Sequence, residues 1–246
     1  MYKRYGNKFM CFSPPVMLAT FIIEFSLALY TLFRYKLNRV SRLSVLMLFF
    51  LGLFQFTEYM ICGGLGLGHV EWAKLGYVSI TLLPALGIHL AVAVARGKAY
   101  PLLAAAYATS AAFIYYFVTN ADSVISNVCT ANYAVFDMQG TALLLYGIYY
   151  YGWLLVGVAT AMYYARKNTK IAEPLRWLAL GYASFIIPTS LANILIPETL
   201  RAIPSVMCGF AVILALIIAF RVLPLSNAAD KKPVKSTKNK AKTRKK

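Results

Sequence analysis

Seven uninterrupted apolar runs dominate the chain, at residues 14–33, 43–62, 76–95, 101–119, 141–165, 175–196 and 203–223. A helix needs about 20 apolar residues to cross the roughly 30 Å hydrocarbon core of a bilayer. Spanning β-strands would instead alternate apolar and polar residues over about 10 positions, whereas Leu43–Phe56 and Ala211–Phe220 are continuous. The pattern predicts an all-α integral membrane protein, a seven-transmembrane-helix bundle over residues 14–223. A short extracytoplasmic segment, 1–13, precedes it and a disordered polybasic tail, 224–246, follows. The first run is not read as a cleavable signal peptide. Val16–Phe33 is too long for a signal h-region, and Arg34, Lys36, Arg39 and Arg42 follow it as a stop-transfer pattern. No internal repeat argues for inverted halves.

Composition agrees with the pattern. Apolar residues make up 60% of the 246 and charged ones only 13%, where soluble domains carry about 25% charged residues. The mean hydropathy of +0.64 excludes a soluble globular chain and a disordered one. The net charge of +17 sets the expected orientation, because short loops rich in Lys and Arg stay on the cytoplasmic side. Arg34, Lys36, Arg39 and Arg42 lie in the first loop, Arg96 and Lys98 in the third, and Arg166, Lys167, Lys170 and Arg176 in the fifth. The alternate loops hold only Lys74 and Arg201 beside Glu71, Asp122, Asp137 and Glu198. This predicts an N-terminus outside, a C-terminus inside and residence in the plasma membrane as a multi-pass protein, although Lys3, Arg4 and Lys8 run against the bias.

The tail after Asn227 holds nine Lys or Arg, one Asp and no large aromatic, too little apolar surface to fold. Two readings stand: attraction of Lys231–Lys246 to anionic lipid, or a solvated extension that fixes topology. Nucleic acid is the weaker partner, because no aromatic is interleaved to stack bases.

Ionisable groups inside a bilayer cost at least ~2.5–3.5 kcal/mol at its centre and mark functional positions. Apart from Arg176 and Arg221 at the expected cytoplasmic ends, three fall within the runs: Glu24, Glu58 and His89. Counting along antiparallel spans puts Glu24 and His89 at similar depth, which predicts a Glu24–His89 couple, either proton-linked or a hydrogen-bonded structural pair. Glu58 lies nearer the outer surface, with Gln55 one turn below it on the same face. Pro84 and Pro188 should bend the third and sixth spans, with Ser79, Thr81, Thr189 and Asn193 placed to satisfy freed carbonyls. On the fifth span Tyr146, Tyr149, Tyr150 and Trp153 share a face, either lining an aromatic pocket or packing the bundle.

Four cysteines, Cys11, Cys62, Cys129 and Cys208, all fall at the expected outer side, where disulfides persist. Cys11 with Cys208 would tie the first helix to the last, and Cys62 with Cys129 would pin the fourth loop over the bundle. Sequence does not choose among the three pairings, and buried free thiols are the plain alternative. The CxxC spacing of structural zinc sites is missing. No lysine in the seventh span offers a retinal attachment point, and His69 and His89 are too few for an oxidase metal centre. HExxH, GxSxG and P-loop motifs are missing as well. Gly63–Gly68 imitates a nucleotide fingerprint but falls in a turn between membrane helices. No cofactor is assigned.

Three patches together carry a family resemblance: Met10–Ser13 (MCFS), Phe54–Glu58 (FQFTE) and Ser205–Phe210 (SVMCGF). Over about residues 10–220 the chain resembles a family of small multi-pass prokaryotic membrane proteins. Its members commonly begin with MCFS, carry Gln-x-x-Glu in the second span and end with a Ser-Val-Trp-Cys-like seventh span. The family has no assigned activity, so the resemblance implies a shared site at Cys11, Glu58 and Cys208 and nothing about substrate. Nine residues precede Met10 here, and Met207 stands where the family often has Trp. A looser likeness, through Trp72, Tyr77 and Pro84, is to the seven-helix sensor regions of histidine kinases.

The expected ligand-binding site is an outer-facing polar cluster of Cys11, Gln55, Glu58 and Cys208. The leading expectation is a sensor or transporter that binds or translocates a small molecule, with enzymatic activity left open. The alternatives are a structural subunit whose Tyr-rich fifth span meets a membrane partner, or a redox or lipid-modifying enzyme using the outer cysteines.

Overall fold

The computed structural model describes residues 14–63, 66–120, 123–124, 126–129, 134–138, 140–196 and 203–231. Seven helical stretches among them are long and apolar enough to cross a membrane, which supports a multi-pass membrane bundle. Their outward surface carries Phe33, Tyr115, Leu144, Ile187 and Ile194, an apolar exterior that fits hydrocarbon rather than water.

Helix α1 (Pro14–Arg34) opens on two prolines, whose fixed φ suits a first helical turn, and closes with Arg34 at the negative end of its dipole. Asn38 then caps α2 (Arg39–Gly63), accepting the Ser41 amide at 2.8 Å. The two helices form the most extensive helix pair of the bundle. Gly52 permits close approach, since a Cβ there would lie 3.6 Å from the Glu24 Cβ.

The third crossing is two helices, α3 (His69–Thr81) and α4 (Leu83–Ala95), interrupted at Leu82. Pro84 has no N–H to continue the ladder. This crossing is the axis of the bundle: 78% of its apolar stretch is buried, against 22–56% for the other six. It begins seven residues earlier than the apolar run, at His69, because Ala73, Gly76 and Tyr77 are buried in its first turns.

Helix α5 (Tyr100–Thr119) leads to a feature the apolar pattern did not reveal. Strands β1 (Ser126–Cys129) and β2 (Ala134–Asp137) pair antiparallel, with Ser126 opposite Asp137 and Cys129 opposite Ala134. The hairpin packs on α2 and α3. Helices α6 (Gly140–Lys167) and α7 (Ala172–Leu195) complete the centre, joined by a short 3₁₀ turn, Thr169–Ile171. Pro188 sits inside α7 without ending it, so of the two prolines expected to bend their spans only Pro84 interrupts its helix.

The last crossing is α8 (Ile203–Ile217), a π-helical turn (Ile218–Val222) and α9 (Leu223–Lys231). Pro224 follows the π turn, where its missing donor requires the ladder to shift. The helix therefore continues past residue 223, into the expected disordered tail. Leu223 and Ser226 are buried, and Asn38 donates to Asn227 at 2.8 Å, which anchors the extra turns.

An aromatic nucleus joins α3, α5 and α6. Tyr77 stacks on Phe117 at 4.6 Å and Tyr146 meets both rings edge-on. Such pairs add about 0.5–1.5 kcal/mol beyond burial.

Candidate functional site

The chemistry-bearing residues gather where α1, α2 and α8 meet. Gln55 and Glu58 are one turn apart on α2, as are Ser205 and Cys208 on α8, so each pair shares a helix face. All four side chains are buried. Glu58 accepts a hydrogen bond from Ser205, and its Oε1 has no partner; nor does Gln55 Nε2. Glu24 on α1 joins them: it is 0% exposed, neither carboxyl oxygen has a partner among the described residues, and it lies within electrostatic range of Glu58. The Cys208 thiol feels both carboxyls. Among the described residues, no positively charged group acts on either carboxyl.

Three of the four residues of the expected ligand site, Gln55, Glu58 and Cys208, are thus brought together; Cys11 lies outside the described residues. The expected Glu24–His89 couple does not form. His89 Nε2 is held by Arg39 at 2.9 Å and its Nδ1 by the Tyr107 hydroxyl at 3.0 Å. Guanidinium only donates, so Nε2 is the acceptor and Nδ1 carries the proton. Equal depth placed Glu24 and His89 at one level, but they face different neighbours. Glu24 turns to α2, while His89 turns to the start of α2 and to α5.

Around the carboxyls, unpartnered polar atoms form a seam. Ten buried side-chain polar atoms lack a partner among the described residues, and eight of them belong to Glu24, Thr31, Ser41, Ser44, Gln55, Glu58 and Ser226 on α1, α2 and α9. Thr31 is seven residues beyond Glu24, on the same face of α1. Along α2, Ser41, Ser44, Gln55 and Glu58 fall on one three-and-four spaced stripe, interrupted by buried Leu48 and Leu51. Glu24 lies against Gly52, at the level of that interruption. The polar stripe therefore approaches Glu24 from both ends of the helix pair. The serines escaped the reading of the sequence because single hydroxyls in apolar runs are ordinary. Their stripe spacing was the available signal.

The cysteine expectations divide. Cys208 is a free, buried thiol, so the Cys11–Cys208 tie is not made. Burial inside α8 also denies it the partial exposure of reactive thiols. Cys62 is not a free thiol. Cys129 is on β1, in a hairpin packed on α2. Among the described residues no group of three or more His, Cys, Asp or Glu is arranged to hold a metal ion.

The tyrosine face of α6 is mainly packing. Tyr149 donates to the Thr81 carbonyl and lies 2.8 Å from Ser110 Oγ; Tyr146 lies 3.1 Å from Thr81 Oγ1. Trp153 donates to Thr109 at 3.0 Å. Only Tyr146 and Tyr150 of the four expected residues line the neighbouring apolar groove of about 550 Å³, together with Tyr77, Ile80, Leu144 and Pro204. Tyr146, Tyr149 and Tyr150 are themselves buried. Comparison with protein-family models, curated proteins and solved structures finds no match.

Proposed function

We propose that this protein is a membrane transporter that carries a proton or small cation along the α1–α2 seam, with Glu24 as the mid-membrane carrier and Glu58 as the entry group. The reading rests on one observation: Glu24 is fully buried with both carboxyl oxygens unpartnered. Buried charges are expensive unless paired. A site with two carboxyls and no balancing cation among the described residues is complementary to a positive cargo. Gln55, Ser41, Ser44 and Thr31 supply uncommitted polar atoms on either side.

In this reading the basic loops face the cytoplasm, the first helix starts outside, and the plasma membrane is the site of action. Cys62 and Cys129 are bridged in the oxidising compartment and hold the β-hairpin over the end of α2. What supports the bridge is that Cys62 is not a free thiol, that Cys208 is free, and that β1 packs on α2.

The test is flux. The full chain is reconstituted into liposomes loaded with a pH-sensitive dye, and imposed proton, sodium and potassium gradients are followed. The wild type should dissipate at least one gradient, and Glu24→Gln should lose that flux. Ligand-dependent conformational change without flux would turn the assignment to a sensor. Full flux in Glu24→Gln would overturn the carrier role.

A further inference from the structure

A second pocket lies at the opposite end of the bundle from the β-hairpin. It has a volume of about 350 Å³ and is walled by the start of α2, the end of α4 with the loop after it, the 3₁₀ turn and α9. Its polar lining is Asn38, Arg39, Arg96, Lys98, Tyr100 and Ser226. Among the described residues, three of these are cationic and none is acidic, while Val40, Ala93 and Ile171 supply apolar wall. Ser226 is over nine-tenths buried and its Oγ has no partner among the described residues.

Backbone geometry places one of the cations. Arg96 is the one residue other than glycine with positive φ, 53°, among the described residues. It closes α4 in a left-handed cap: its N–H bonds the Ala93 carbonyl at 3.1 Å and Gly97 N–H bonds the Val92 carbonyl at 3.0 Å. Glycine is the usual occupant of that position because a Cβ there is penalised. Here an arginine occupies it and lines the pocket.

We propose that this pocket is a phosphate-binding site, taking the phosphate of an anionic lipid headgroup or of a soluble phosphate compound. Guanidinium groups and a hydroxyl are the donors suited to phosphate oxygens. Arg96 and Lys98 contribute charge, Ser226 contributes its uncommitted hydroxyl, and Arg39 reaches the pocket while also donating to His89. The pocket shares Ser226 with the far end of the polar seam but contains neither Glu24 nor Glu58, and it does not depend on the transport reading. It is separate from the Lys-rich segment after Lys231, which attracts an anionic surface without a shaped pocket.

The experiment compares the full chain with R96Q/K98Q, with S226A and with R166Q/K167Q. The last removes the same charge from the end of α6. Two probes are used. Native mass spectrometry after reconstitution in mixed phosphatidylglycerol–phosphatidylcholine nanodiscs reports retained lipid, and thermal unfolding in detergent with and without inorganic phosphate reports free-anion binding. Wild type and R166Q/K167Q should retain phosphatidylglycerol over phosphatidylcholine or be stabilised by phosphate. R96Q/K98Q should lose that preference at least about tenfold, and S226A should weaken it by a smaller factor. Lipid retention alone assigns the headgroup as the source, and phosphate stabilisation alone assigns a soluble compound. Equal binding by wild type and R96Q/K98Q, or no binding of either probe, would overturn the proposal.

Discussion

The hydroxyl of Tyr149 is bonded to the backbone carbonyl of Thr81, the last residue of α3 before the central crossing breaks. A helix interrupted inside a membrane must have its freed carbonyls satisfied by protein, since the hydrocarbon offers no donor. Tyr149 therefore makes the break at Leu82 tolerable. Tyr149→Phe should lower stability by about 1–2 kcal/mol in detergent unfolding. Tyr146→Phe should cost less, because Thr81 Oγ1 keeps its bond to the Tyr77 carbonyl.

Gly87 and Tyr182 form a second obligate pair. A Cβ on residue 87 would overlap the Tyr182 hydroxyl and stand 2.8 Å from its Cζ. Tyr182 is buried on all sides and its hydroxyl has no partner among the described residues. Gly87→Ala should therefore destabilise by about 2–3 kcal/mol, whereas Tyr182→Phe alone should not. In the double variant part of the loss should return, because the overlapping oxygen is gone. Additive losses in a double-mutant cycle would show that the two sites do not touch.

Replacing Glu24 with an apolar residue of similar length should raise stability while abolishing function. Glu24→Met removes two unpartnered buried oxygens, a gain of about 1–3 kcal/mol. A hydrophobic carbodiimide should label the wild type at Glu24 and leave this variant unlabelled there, read by peptide mass spectrometry. Loss of stability in Glu24→Met would mean that the carboxyl is held by partners.

Thiol counting tests the bridge between α2 and the hairpin. Under denaturing conditions without reductant, alkylation should modify Cys208 and leave Cys62 and Cys129 untouched. After reduction both should be modified. Alkylation of Cys62 before reduction would remove the bridge.

Arg96 should separate stability from binding. Arg96→Gly relieves a left-handed arginine, a backbone gain in unfolding free energy of at most about 1 kcal/mol. The same variant should lose anion retention. If it lost stability and kept its anion, the arginine would be a structural cap and not a ligand.

Some of the site could be read from particular residues. Glu58, Gln55 and Cys208 were identifiable because a charge, an amide and a thiol stand out in apolar runs, and a residue's helix face follows from counting. Glu24 was identifiable by the same token, but its partner was not. Depth along a helix follows from residue number, whereas azimuth relative to other helices depends on how the bundle closes. Counting therefore paired Glu24 with His89, while packing gave His89 to Arg39 and Tyr107. Thr31, Ser41, Ser44 and Ser226 went unnoticed because a hydroxyl becomes informative only when burial leaves it without a partner.

By itself, the sequence determined that seven helical stretches have the length and apolarity to cross a bilayer, where those crossings lie, and which ionisable groups they carry. Those properties are local: about 20 apolar residues in a row make a span whatever surrounds them. Tertiary structure alone decided that the third crossing is the axis, that the hairpin packs on α2 and α3, and that the last helix continues to Lys231. It also decided that two carboxyls come within electrostatic range of one another while three cations share a pocket at the far end. Contacts between helices depend on rotation about their axes and on which small residues allow close approach, and neither is written in any single run of the chain.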